Sequence, residues 1–221
     1  MLEFLIKKPE KATDGDPVLV LLHGRGSDMG DLQGLAPVLP PGGTLVTPQA
    51  PHPGGPWGFG MGWAWYRYLG DDRPDPDSLR ESLADLEIFL DGLPQTLGFL
   101  PGPLVLGGFS QGGTMSLSYA LTRPGRVAGV VVLSGFLPNR EILGVGPEAL
   151  GQTPLFWAHG TQDPAVPFHL AQAGWRAIEE ARGRLTSRKY PMGHWVTPDE
   201  VGDLRDWLGN SIPGWVEGPL V

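Results

Sequence analysis

The residues Gly108-Phe109-Ser110-Gln111-Gly112 spell G-x-S-x-G, the pattern in which a sharp strand-to-helix turn holds a serine hydroxyl clear of the backbone as a nucleophile. Glycine flanks the serine because side chains at those positions would collide across the turn. A serine hydroxyl attacks a carbonyl only when a base takes its proton and a third group orients that base. Of the five histidines, His194 stands in Tyr190-Pro191-Met192-Gly193-His194, a loop after an apolar run and before a helical segment. Asp163, in His159-Gly160-Thr161-Gln162-Asp163-Pro164, follows another apolar run and can supply the orienting carboxylate. The chain order Ser110, Asp163, His194 distinguishes this arrangement from the two other well-known orders of the same chemistry. That chemistry would be acyl transfer.

Acyl transfer also needs two amide donors aimed at the developing oxyanion. One is the N–H of Gln111, directly after the nucleophile at a helix N-terminus, where the dipole adds to the effect. The other should come from the loop after an early strand, where His23-Gly24-Arg25-Gly26-Ser27-Asp28 offers the N–H of Arg25. Asp28 is read as a brace for that loop. His23 and His159 each precede a glycine at a strand end and are read as hydrogen-bonding their loops. His52 and His169 are read as surface residues, and the helical carboxylates Glu81, Asp85 and Glu87 as solvated. In so glycine-rich a chain, G-x-S-x-G alone is cheap, with roughly 0.2 matches expected by chance. The acid, the base and the second donor loop around it make the pattern specific. Dinucleotide, P-loop and zincin motifs are missing from the sequence. His159 and Asp163 lack further clustered ligands for a metal, so no metal is expected.

These residues need a framework. Short Val- and Leu-rich runs at Val18 to Leu22, Thr44 to Thr47, Leu104 to Phe109, Val127 to Leu133, Leu155 to Ala158 and Leu185 to Tyr190 alternate with segments of helical spacing. This is the pattern of a mostly parallel sheet with helices on both faces. Leu79, Leu83, Leu86, Phe89, Leu90 and Leu93 form one apolar stripe on a helix that Asp77 or Ser78 could cap. Further helices are expected at Gly112 to Thr122, Phe168 to Ala181 and Pro198 to Leu208. Each chemistry-bearing loop then follows a strand, where open α/β sheets bind ligands.

With 221 residues, the chain is expected to make one domain spanning 1–221. Its 34 glycines and 24 prolines approach the level of low-complexity chains, but 41% apolar residues and eight tryptophans require a core. A net charge of −8 argues against nucleic acid as a partner. Absence of cysteine excludes disulfides, thiolate metal sites and a cysteine nucleophile. No apolar run is long enough to span a bilayer, and the first ten residues reverse the charge order of a leader peptide. A soluble, unprocessed, cytoplasmic protein is expected.

With these pieces assembled, the sequence resembles the carboxylesterase and phospholipase family of α/β-hydrolases that includes the acyl-protein thioesterases. The matching segments are LLHGRGSD (21–28), TPQAP (47–51), WAWY (63–66), LGGFSQGG (106–113), LSGFLP (133–138), HGTQDPAVP (159–167) and YPMGHWV (190–196). The resemblance implies an α/β-hydrolase fold without a large lid domain, Ser110, Asp163 and His194 as the triad, Arg25 and Gln111 as oxyanion donors, and no cofactor. One segment departs from the pattern: where relatives run from Gly-Gly through Met to Trp-Tyr-Asp, this chain has Gly54-Gly55, Met61 and Trp65-Tyr66-Arg67, enriched in Trp57, Phe59 and Trp63. Met61, Trp65, Val166 and Trp195 are the expected substrate contacts; the competing reading has the aromatics pack the loop onto the body. The expected activity is hydrolysis of small-molecule carboxylic esters through an acyl-enzyme. The alternatives are a thioesterase or lysophospholipase acting on lipid-like or acyl-thioester substrates, and a non-catalytic binding protein on the same scaffold. A second copy of the chain is a candidate partner.

Overall fold

The computed structural model describes residues 2–38, 42–70 and 73–215, apart from the side chain of Val38. The end of the C-terminal tail, residues 216–221, lies outside the described residues. Seven strands form one sheet: β1 (Phe4–Lys7), β2 (Val18–Leu22), β3 (Thr44–Pro48), β6 (Leu104–Phe109), β7 (Gly129–Leu133), β8 (Leu155–Gly160) and β9 (Leu185–Tyr190). Their order is β1-β3-β2-β6-β7-β8-β9, and every pairing is parallel except β1 with β3. A two-stranded ribbon, β4 (His52–Pro53) with β5 (Trp63–Ala64), closes the Trp-rich loop.

Side chains alternate across the sheet, and the apolar strands bury both faces. Val18, Val20, Leu22, Leu106, Val130, Val132 and Trp157 pack against α1 (Pro76–Asp91), α2 (Leu93–Leu97), α3 (Gln111–Thr122) and α5 (Phe168–Glu180). Leu19, Leu21, Leu45, Val105, Val131 and Phe156 face the other way, onto Leu204, Trp207 and Leu208 of α6 (Pro198–Ser211). A short α4 (Arg140–Leu143) follows β7.

Four findings correct the sequence reading. The strand β1 was unforeseen: Phe4 and Ile6 pack inward while Leu5 is 40% exposed, an alternation only four residues long. The cap of α1 is neither Asp77 nor Ser78 but Asp75, whose carboxylate accepts from the Ser78 N–H, with Pro76 at the first helical position. The β7 strand starts at Gly129 rather than Val127. The apolar stripe expected on one helix is divided, with Leu79 to Leu90 on α1 and Leu93 opening α2 after Gly92; strand β9, which precedes His194, lies at the sheet edge and is only part-buried.

From β2 the chain steps to β3 on one side, then returns past β2 to place β6 on its other side. The loops after β2 and β6 therefore meet at the point where strand order reverses, the crevice in which such sheets bind ligands.

Candidate active site

Ser110 occupies the turn between β6 and α3 with φ 54° and ψ −114°, the first central position of a type II′ turn, where glycine is the usual residue. The backbone is held there by close packing. A Cβ on Gly112 would lie 2.0 Å from the Leu22 carbonyl oxygen, and one on Gly108 2.5 Å from the Gly112 carbonyl carbon. The two glycines let the elbow sit directly on the end of β2.

His194 Nε2 accepts from Ser110 Oγ at 2.9 Å, and His194 Nδ1 donates to Asp163 Oδ2 at 2.6 Å. The other carboxylate oxygen, Oδ1, accepts from the N–H groups of Ala165 and Val166, each at 2.9 Å. The Asp163 side chain is fully buried, whereas that of His194 is 22% exposed. The acid is thus fixed, and the imidazole has its tautomer set and one edge open to a substrate. The Phe109 ring lies 4.8 Å from the imidazole. The acid and base loops are stitched together by Gln162 N–H to Met192 C=O and Thr161 N–H to Tyr190 C=O.

His159 and His23 are framework groups, as expected. Buried His159 donates from Nε2 to Val166 C=O at 2.8 Å and stands 3.6 Å from Asp163 Oδ2. His23 Nδ1 donates to Gly24 C=O, and its Nε2 accepts from Ala50 N–H. Burial lowers the pKa of both rings. Asp28 accepts from Gly30 N–H and braces its loop. His169 is exposed, but His52 is half-buried against Trp57 rather than a surface residue.

Neither the Arg25 nor the Gln111 N–H has an acceptor among the described residues. The Gln111 side chain is spent elsewhere: Oε1 accepts from Trp65 N–H and Nε2 donates to Tyr66 C=O. The Arg25 loop is clamped from outside by Gly26 N–H to Trp63 C=O and Trp63 N–H to Ser27 C=O. Contact this close requires Gly62, whose Cβ would fall 2.0 Å from the Gly26 carbonyl oxygen.

A cleft of about 580 Å³ opens over Ser110 and His194, lined also by Arg25, Tyr68, Gly70, Pro164, Ala165, Val166 and Pro167. Val166, one of the expected substrate contacts, is among these lining residues. Trp195 is 58% exposed and borders a second cleft of about 290 Å³ that shares His194 with the first and includes Leu35, Phe109 and Val196. Two expectations need correction. Trp65 is fully buried and donates from its indole to His23 C=O, so it is framework and out of reach of a substrate. Met61 is fully exposed at the loop tip and does not line the cleft over Ser110. Sequence reading missed Tyr68, two residues past the buried Tyr66 in an extended stretch, where strand-like alternation is the available signal.

A serine, an aspartate and a histidine in this chain order, hydrogen-bonded to one another at the carboxyl ends of a sheet of this topology, give the arrangement of an α/β-hydrolase. The model of the phospholipase/carboxylesterase family matches residues 3–212. The acyl-protein thioesterase 1 of Cryptococcus neoformans var. neoformans serotype D is 31% identical over 222 residues, covering 88% of this chain and 92% of its own. The carboxylesterase SOBER1 of Arabidopsis thaliana is 31% identical over 144 residues, 63% of this chain and 62% of its own. In structure, esterase PE8 superposes with a TM-score of 0.81 at 26% identity, covering 96% of this chain and 99% of that one. The chain belongs to the phospholipase/carboxylesterase family, a family of carboxylic ester hydrolases. Among the described residues no helix is long and apolar enough to cross a membrane.

Proposed function

We propose that the protein is a serine carboxylesterase that works through an acyl-enzyme on Ser110. The single observation that carries this reading is the continuous relay from Ser110 Oγ through His194 to Asp163, at 2.9 and 2.6 Å. In the proposed sequence, Ser110 Oγ attacks the acyl carbon as His194 Nε2 takes its proton, and Asp163 stabilises the imidazolium. The N–H groups of Arg25 and Gln111 receive the oxyanion. His194 then gives its proton to the departing alcohol, leaving an acyl-serine. Water repeats the steps and releases the acid.

The test pairs labelling with turnover. A fluorophosphonate should form an adduct on Ser110 in the folded protein, and an activated short-chain ester should be hydrolysed. Absence of the adduct would favour a non-catalytic binding protein instead. Thioesters and lysophospholipids form the second reading, supported by the thioesterase name of a full-length relative. An optimum at thioesters or long acyl chains in a substrate panel would select it.

One domain and a cytoplasmic address belong to the same proposal. The seven-stranded sheet running from Phe4 to Tyr190 supports the first, and a single cooperative unfolding transition tests it. Fractionation of the source cells tests the second, and sedimentation tests whether two copies pair.

A further inference from the structure

The Arg25 backbone is one proposed oxyanion donor, but its side chain has a separate position in the cleft. The guanidinium carbon lies 4.7 Å from the Phe59 ring centroid and 5.3 Å from that of Tyr68. These two rings meet edge to face at 77°, so the guanidinium is seated in an aromatic corner. Phe59 belongs to the Trp-rich segment between Gly54 and Trp63, and Tyr68 lines the cleft beside Ser110.

Among the described residues the group held there is a cation without a counter-ion. Among the described residues its side chain has no carboxylate partner and no hydrogen-bond acceptor, so its five N–H donors are unused. Among the described residues no acidic side chain lines the cleft, and Asp163 stands behind the imidazole with both oxygens engaged. Stacking on rings orients a guanidinium plane while leaving its edge free, the geometry that takes a carboxylate through two parallel hydrogen bonds. The chain as a whole carries −8, so an anionic substrate is repelled on average and admitted only where the local charge is positive.

We propose that the Arg25 side chain selects esters that carry a carboxylate, such as half-esters of dicarboxylic acids. The inference rests on the serine esterase reading and deepens it. An ester bound at Ser110 places its carbonyl by the amide of Arg25 and its carboxylate by the guanidinium of the same residue. The carboxylate can belong to the acyl or to the alcohol half, and the test separates the two.

The acyl arm compares monomethyl glutarate with methyl pentanoate; the alcohol arm compares 3-acetoxybenzoate with phenyl acetate. The quantity read is the ratio of kcat/KM, anionic over neutral, followed by acid release at constant pH. Arg25→Met should lower that ratio about tenfold or more in at least one arm, the range set by one charge-assisted hydrogen bond. Arg25→Lys should recover part of it, and added salt should narrow it in the unaltered protein. The arm that responds identifies the half bearing the carboxylate. A ratio unmoved by Arg25→Met in both arms overturns the proposal while leaving the esterase reading intact. Failure of every ester together with failure of Ser110 to label overturns both.

Discussion

Ser110 combines the proposed nucleophilic hydroxyl with a backbone conformation that serine does not favour, and the two can be separated by substitution. Ser110→Ala removes the hydroxyl and keeps the Cβ, so the strain at φ 54° and ψ −114° persists. Ser110→Gly removes both. A non-glycine residue held in such a region costs about 1–3 kcal/mol. Against this, glycine gives the unfolded chain more freedom, which disfavours folding by roughly 0.5–1 kcal/mol. The difference predicts that Ser110→Gly is more stable than Ser110→Ala by about 1 kcal/mol, and for a chain of this length that is about 2–4 °C in Tm. Urea unfolding of the two variants, with matched slopes, measures it. Both variants should be inactive towards activated esters, because neither presents an oxygen to His194. Equal stability, or an advantage for alanine, would refute the claim that the elbow is strained by its packing on β2. More than a few per cent residual activity in either variant would remove Ser110 from the chemistry.

Three further outcomes follow from the same geometry. Gly112→Ala, whose Cβ would meet the Leu22 and His23 carbonyl oxygens at 2.0 and 2.7 Å, should cost at least ~2 kcal/mol and lower kcat about tenfold or more, because relief moves the Arg25 loop; thermal melts and initial rates check it. Glu200 is buried with neither carboxylate oxygen partnered, and burial raises its pKa from 4.5 to about 8. The folded state therefore holds this proton where the unfolded chain has released it, so the residue subtracts stability increasingly from about pH 4.5 to about pH 8. Glu200→Gln should leave acid stability unchanged and stabilise alkaline samples by up to ~5 kcal/mol, read from urea midpoints across pH; a pH-independent difference would refute it. His159 has the opposite sign: its folded pKa lies below 6.5, so its contribution is lost as pH falls through 6.5. His159→Gln should flatten that acid limb in the same measurement.

The site was legible wherever chemistry and punctuation coincided. Ser110, Asp163 and His194 each stand a few residues past a strand expected from the sequence, so locating the strands located the loops. The runs at Val18–Leu22, Leu104–Phe109 and Leu185–Tyr190 keep their expected limits. Less was readable where neighbours decide the outcome. Strand β1 exists because Phe4 to Lys7 pair with Leu45 to Pro48, and four residues carry too little periodicity to announce it. Trp65 looked like a substrate contact because an aromatic in a glycine-rich loop gives no inward or outward signal. Its burial depends on three distant partners, Gln111, His23 and Ser82.

The high glycine content, which brought the composition close to that of disordered chains, has a structural origin in how the proposed oxyanion donors are built. Amide donors from two separate loops can converge on one oxygen only if those loops approach backbone to backbone. Gly112 lies against the end of β2, and Gly62 lies against Gly26, each with a main-chain oxygen 2.0 Å from where a Cβ would stand. Closely packed backbone of this kind resists adjustment, so the donors hold their positions before a substrate arrives. The same clamp, running from Trp63 to the Arg25 loop, also brings Phe59 beneath the Arg25 guanidinium. Changing the Trp-rich segment should therefore alter substrate charge preference and oxyanion stabilisation together, although no residue between Gly54 and Gly62 lines the cleft over Ser110.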